Sequence, residues 1–189
     1  MTSLKSTKIG VIVLTLLLFT PLAPRAQEAS LSNIIVTNTR DDLLVYLTVE
    51  GAFREQMKQA VLSGVPTTFT FLITLSQVRN LWANKDVVDL KVSHTIKYNI
   101  LKKEFSVKRS WENGKPLVTQ SFDEAKKWMS EIDGMKLVSL SRLEKDKQYQ
   151  LKAKAELNKM TLPFYLHHVL FFVSLWDFET EWYTIDFIY

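Results

Sequence analysis

The sequence predicts an α+β fold that consists mainly of antiparallel β-sheet, with two short amphipathic helices. Three observations predict it: stretches in which apolar and polar residues alternate, two segments with apolar residues at helical spacing, and turn residues between these elements. Alternation with a period of two is typical of strands that are buried on one face and solvated on the other. The chain has no cysteine, so packing alone must hold the predicted domain together.

The clearest alternation predicts three half-buried strands. They are VVDLKVSHTIKY from residue 87, KEFSVKRSW from residue 103 and YQLKAKAEL from residue 149. More apolar strands are predicted at LSNIIVTNT, LLVYLTVEG and TTFTFLITL. The first two of these are predicted to form a hairpin, because polar turn residues separate them. In the third, Phe69, Phe71 and Ile73 share one face with Leu75. The turn signal ENGKP is expected to join SVKRSW to PLVTQSF.

Two segments have the spacing of amphipathic helices, and we expect each to run for about three turns. FREQMKQAVLSG is predicted to end at Gly64, which suits a C-terminal cap. SFDEAKKWMSEIDG is predicted to begin at Ser121 or Asp123, to place Ile132 on its apolar face and to end before Gly134.

The predicted elements run in the order ββαββ twice. This order raises the hypothesis of two similar halves, at residues 31–98 and 101–158, followed by a strand at 179–189. Coincidence of pattern is the alternative, because the two halves share little side-chain identity. In both cases residues 27–189 are expected to form a single α+β domain.

The first 26 residues have the layout of a bacterial-type secretory signal peptide. Lys5 and Lys8 precede the apolar run Ile9–Phe19, and helix-breaking prolines follow it. We expect cleavage after Ala26 and a periplasmic location; an uncleaved inner-membrane tether is the alternative. The leader carries three of the 24 basic side chains and no acid, so 21 basic side chains remain against 20 acidic ones. This balance argues against a nucleic-acid partner.

Few residues point to catalysis, and we predict that the protein is not an enzyme and has no cofactor or metal. His94 lies on the apolar face of its strand, and the neighbours His167 and His168 lack the i, i+4 spacing of a zinc-binding helix. The five glycines are isolated, and no G-x-S-x-G nucleophile is present. We therefore assign no catalytic residue.

Paired carboxylates are the one arrangement that resembles an enzyme site. If WDFETEW were extended, Asp177, Glu179 and Glu181 would point to one side, as a cation site or an acid–base pair requires. The alternative, which we favour, is a solvated strand face whose acids pair with nearby lysines, because catalysis requires a pocket that shifts the pKa of a carboxyl group.

In the same C-terminal stretch, the alternation of apolar and polar residues shifts by one position. Its apolar residues occupy even positions first and odd positions afterwards: Trp176, Phe178 and Trp182, then Tyr183, Ile185, Phe187 and Tyr189. One regular strand cannot keep both sets on one face. We therefore predict a bulge or bend near Glu181 and Trp182, or a last strand covered on both faces.

An uncharged apolar segment, LPFYLHHVLFFVSLW, occupies residues 162–176. One interpretation is a buried connecting segment, and the other is an exposed patch for a membrane surface or a protein partner. The candidate partner residues are Phe164, Tyr165, Leu170, Phe171, Phe172 and Trp176.

Two stretches, LSGVPTTF and SLWDFETEWY, resemble the family of exported bacterial proteins known as domain of unknown function 4390. The resemblance covers nearly the whole chain after the leader. It implies a signal-bearing envelope protein with no assigned activity, and it supplies no catalytic residue.

Three hypotheses for function follow. The first is a non-enzymatic periplasmic binding or adaptor module for an envelope protein or lipid, with membrane association through the uncleaved leader or residues 162–176. The second is a small outer-membrane β-barrel, which the terminal aromatic alternation favours and which release by osmotic shock would exclude. The third is an enzyme or cation site at WDFETEW.

Overall fold

The computed structural model describes residues 29–157 and 178–189, and these residues form an antiparallel α+β fold. The elements are β1 (Ser30–Asn38), β2 (Asp42–Glu50), α1 (Glu55–Leu62), β3 (Thr67–Gln77), β4 (Lys85–Asn99), β5 (Glu104–Arg109), β6 (Leu117–Thr119), α2 (Phe122–Ser130), β7 (Glu131–Ser139), a 3₁₀ turn (Leu140–Arg142), β8 (Gln148–Leu157) and β9 (Tyr183–Ile188). Every strand pair among them is antiparallel. The predicted fold class is therefore confirmed.

The strands form two sheets that share one core. The smaller sheet has the order β1-β2-β7, and the larger sheet has the order β6-β5-β4-β3-β8-β9. Helix α2 contacts strands of both sheets, and α1 lies against β4. The inner faces of the sheets and the apolar sides of the helices form one cluster of buried residues.

Strand β3 is the centre of the larger sheet. It pairs with β4 over its whole length and with β8 from Phe69 onward. As the alternation predicted, the inner face of β3 carries apolar side chains with no exposure to solvent: Phe69, Phe71, Ile73 and Leu75. Burial of each such side chain stabilises the fold by about 1.5–3 kcal/mol.

The predicted hairpins and one helix end are confirmed. β1 pairs with β2, and β5 pairs with β6 across the ENGKP turn. Helix α1 is followed by Gly64, whose φ of 84° is the left-handed conformation expected of a C-terminal cap. The Gly64 N–H donates to the Val61 carbonyl at 2.9 Å, and the Val65 N–H donates to the Ala60 carbonyl at 3.1 Å.

Helix α2 begins as predicted but ends earlier than predicted. The Ser121 hydroxyl accepts a hydrogen bond from the Glu124 N–H at 3.3 Å, which identifies Ser121 as the cap. The prediction that the helix includes Ile132 was wrong, because the chain is already extended at Glu131. The helices have eight and nine residues, which is fewer than three full turns.

Gly134 does not end a helix; it lies in a β-bulge of β7. Val45 pairs with Met135 and Leu47 pairs with Ile132, so β7 has one more residue than β2 in this interval. Gly134 has a φ of 69°, and a Cβ atom there would lie 3.1 Å from the Tyr46 hydroxyl. Glycine therefore satisfies both the backbone angle and the close approach of the tyrosine.

The change of alternation at the C-terminus is accommodated by a bulge, as predicted. Ala153 pairs with Tyr183 and Glu156 pairs with Glu179, so the last segment advances four residues where β8 advances three. Thr180 anchors the bulge: its N–H donates to the Ala155 carbonyl at 2.9 Å, and its hydroxyl accepts from the Ala155 N–H at 3.0 Å. Phe178, before the bulge, and Phe187, after it, can therefore both pack against the core.

The order ββαββ occurs twice and is followed by β9, but the strand pairing of the two halves differs. β3 pairs with β4, whereas β7 and β8 belong to different sheets. The internal duplication stays a prediction.

We predict that Gly134→Ala lowers the free energy of unfolding by about 1–3 kcal/mol, because alanine must adopt a left-handed backbone angle beside Tyr46. Denaturant unfolding measures this change. Gly114→Ala is the matched control, since a Cβ atom at Gly114 meets nothing within 4 Å. Equal stability of the two variants would contradict the role assigned to Gly134.

Candidate binding surfaces and the buried histidine

His94 lies on the inner face of β4 and has no exposure to solvent. Its Nε2 atom is 2.9 Å from Trp111 Nε1, and its Nδ1 atom is 3.1 Å from the Met129 carbonyl oxygen. The indole N–H can only donate, so Nε2 accepts and Nδ1 carries the proton that is donated to Met129. Both ring nitrogens are therefore engaged, which leaves neither of them for a metal or a substrate.

The surroundings keep His94 neutral. Burial lowers its pKa to about 4; the hydrogen bond to Met129 opposes this shift, and the positive charge of Arg109 adds to it. Arg109 donates from Nε to the Trp128 carbonyl at 3.1 Å and forms an ion pair with Glu112 at 2.8 Å.

His94 and Arg109 together cap the C-terminus of helix α2. The Trp128 and Met129 carbonyls belong to the last turn of the helix, where backbone acceptors have no partner within the helix. Side chains from β4 and β5 supply the missing donors. This non-local cap accompanies the end of α2 at Ser130, and it assigns His94 a structural role.

Of the three C-terminal acids, Glu179 pairs with a lysine, as the favoured interpretation of a solvated strand face expects. Glu179 forms an ion pair with Lys154, whose ammonium also lies 5.4 Å from the centre of the Trp182 ring. Asp177 lies outside the described residues. Within residues 29–157 and 178–189, no three His, Asp or Glu side chains are grouped so that they could hold a metal ion.

The predicted partner surface also lies outside the described residues. It comprises Phe164, Tyr165, Leu170, Phe171, Phe172 and Trp176. The neighbouring pair His167 and His168 belongs to the same stretch.

The loop between β3 and β4 exposes two large apolar side chains next to each other. Leu81 is 90% exposed and Trp82 is 79% exposed. We call these two residues, with Arg79, the β3–β4 tip. The base of the loop is fixed, because the Val78 N–H donates to the Gln148 carbonyl at 2.8 Å and Gln77 Nε2 donates to Glu144 at 3.3 Å. An open groove of about 630 Å³ lies between the tip and the segment that leads into β8.

A second exposed apolar pair lies at the opposite end of β4. Ile100 is 58% exposed and Leu101 is 96% exposed, in the turn between β4 and β5. We call residues Asn99–Lys103 the β4–β5 turn. The Asn99 side-chain oxygen accepts hydrogen bonds from the N–H groups of Leu101 and Lys102, both at 3.1 Å. An open groove of about 750 Å³ lies between this turn and residues 63–66.

Sequence reasoning missed both surfaces, although a signal for each was present. Leu81 and Trp82 stand between Asn80 and Asn84, outside any alternating segment. Ile100 and Leu101 directly precede two lysines at a strand end. Adjacent apolar residues in a turn cannot both face the core of a sheet, and this rule could have identified them.

The fold and these surfaces define an α+β domain in which the buried polar side-chain atoms of the described residues have hydrogen-bond partners, apart from the Ser130 hydroxyl. The profile of the family described as Domain of unknown function (DUF4390) matches residues 26–186, and the chain belongs to this family. Comparisons with curated proteins and with solved structures find no match. Among the described residues, no helix is long and apolar enough to cross a bilayer.

We predict that His94→Gln flattens the pH dependence of stability. In the native protein His94 is neutral above its folded pKa of about 4, whereas in the unfolded chain it protonates below about 6.5. The unfolded state therefore binds more protons between these values, and the free energy of unfolding falls as pH falls, by up to about 1.4 kcal/mol per pH unit.

Glutamine can still accept from Trp111 and donate to Met129, but it does not titrate. Urea unfolding between pH 4 and 6.5 should show a shallower slope in the variant than in the native protein. Identical slopes would show that His94 does not protonate on unfolding.

Proposed function

We propose that the protein is an exported, non-enzymatic binding module of the cell envelope that holds a protein partner through the β3–β4 tip. The exposure of Leu81 and Trp82 side by side is the observation that carries this proposal. The signal-like leader supports export. The family match begins at residue 26, next to the expected cleavage position.

The tip has the side chains that most often dominate protein interfaces. Tryptophan and arginine are enriched among the residues that contribute most to binding, and the tip has one of each. Complete burial of Leu81 and Trp82 by a partner is worth about 3–6 kcal/mol before the costs of association. That is enough for these two residues to determine whether a complex forms.

The charge around the tip defines the complementary partner. Residues 78–85 include Arg79 and Lys85 and no acid. Both side chains are exposed, and neither forms an ion pair with the described residues. Glu144 and Asp146 line the groove beside the tip, so the proposed partner presents an apolar pocket to Leu81 and Trp82 and a carboxylate group to Arg79 alone.

The base of the tip reduces the cost of binding. Hydrogen bonds from Gln77 and Val78 attach the loop to Glu144 and Gln148. A loop that is already held at its base loses less conformational entropy when it is captured than a free loop does.

Two side chains of a type that enzymes use in catalysis are already engaged in contacts within the domain, which supports binding over catalysis. His94 has both nitrogens hydrogen-bonded in the core, and Glu179 is paired with Lys154. An enzyme site built on either group would first have to break these contacts.

Photo-crosslinking in living cells tests the proposal. A photoreactive phenylalanine analogue is placed at position 81, with Val118, an exposed residue of β6, as the matched control position. We expect one discrete higher-mass adduct from position 81 and none from position 118. Trp82→Ser in the same chain should reduce the adduct by about tenfold or more, because it removes the main apolar contact.

Folding is checked separately by thermal unfolding. Trp82 is exposed, so Trp82→Ser should leave the melting temperature nearly unchanged. Absence of an adduct at position 81, or the same adduct from position 118, would contradict a specific protein partner at the tip.

A further inference from the structure

We propose that the β4–β5 turn contacts an anionic lipid surface, at the end of the domain opposite the β3–β4 tip. Ile100 and Leu101 project from this turn, and Lys102 and Lys103 follow them. Apolar side chains with adjacent lysines are the pattern of a surface that rests on a membrane: the apolar groups enter the headgroup region and the ammonium groups contact lipid phosphates.

The charge of the turn is suited to phosphate groups. Lys97, Lys102 and Lys103 are all exposed, and they form no ion pair with the described part of the chain. Glu104 is the acid adjacent to the turn, and it is half-buried. Each lysine near an anionic surface raises partition by about fivefold, and the effect decreases with salt.

The turn is already folded in the shape that presents its apolar pair. The Asn99 side chain accepts from two backbone N–H groups, and Lys103 has a φ of 56° that closes the turn. Ile100 also lies against the turn after α1: a Cβ atom on Gly64 would be 3.5 Å from its Cδ1 atom. Contact with a membrane would therefore require little reordering of the chain.

The chemistry of this end favours lipid over protein as its occupant. The exposed apolar residues here are aliphatic, and the exposed cations are lysines. Aromatic residues and arginine are enriched at protein interfaces, whereas lysine is depleted. The tip at the other end has the opposite character, with Trp82 and Arg79.

A local fluorescence measurement in the full chain tests the lipid contact. The sequence has no cysteine, so Leu101→Cys carries a single environment-sensitive fluorophore, and Leu81→Cys carries the same fluorophore as the matched control. The probe is a vesicle of phosphatidylethanolamine and phosphatidylglycerol, compared with a vesicle of phosphatidylcholine. We expect a blue shift at position 101 with the anionic vesicle, weakened by salt, and no shift at position 81.

The paired variant Lys102→Gln with Lys103→Gln should lower the partition measured at position 101 by about tenfold or more. It should leave the crosslink at position 81 unchanged, so this test and that of the protein partner can fail independently. The proposal is overturned by no shift at position 101, by an equal or larger shift at position 81, or by a shift that both lysine replacements leave intact.

Discussion

The pairing of β3 on both sides is the constraint on which the rest of the structure depends. β4 and β8 satisfy its backbone groups, and its inner face is buried from Phe69 to Leu75. Because β3 begins after the α1 cap and ends at the β3–β4 tip, its length separates the two exposed apolar surfaces. Strand β4 has 15 residues, which corresponds to a separation of about 45 Å between its ends. The proposed partner and the proposed lipid surface would therefore contact opposite ends of one rigid sheet.

The cap on α2 attaches the helix to this sheet. His94 and Arg109 donate to carbonyls of the last helical turn, and Trp111 donates to His94. Since α2 also contacts the smaller sheet, this network joins the two layers through polar groups as well as apolar packing. A neutral histidine is required, because a charged imidazolium could not accept from the indole. The burial that lowers the pKa of His94 and the hydrogen bond from Trp111 thus both favour the neutral imidazole.

Sequence patterns predicted those elements that are determined by residues close together in the chain. Period-two alternation located the strands, and the change of alternation at Tyr183 predicted the C-terminal bulge, because side-chain direction follows directly from strand geometry. The end of α2 could not be predicted, since its capping donors come from β4 and β5. Gly134 was misread because a glycine after a helical pattern has the same local signature as a cap. Its actual role depends on Tyr46, which pairing far along the chain brings to it.

The candidate surfaces were missed for a related reason. Exposure of Leu81 and Leu101 depends on what the fold leaves uncovered, and an apolar residue in the sequence is expected to be buried. The separation of these two residues is the most direct test of the account. Spin labels on Leu81→Cys and Leu101→Cys, in a chain with no other cysteine, allow the distance to be measured by pulsed electron resonance. We predict one narrow distribution centred near about 45 Å. A broad distribution, or a much shorter distance, would show that the two surfaces are not held apart by the β3–β4 pair.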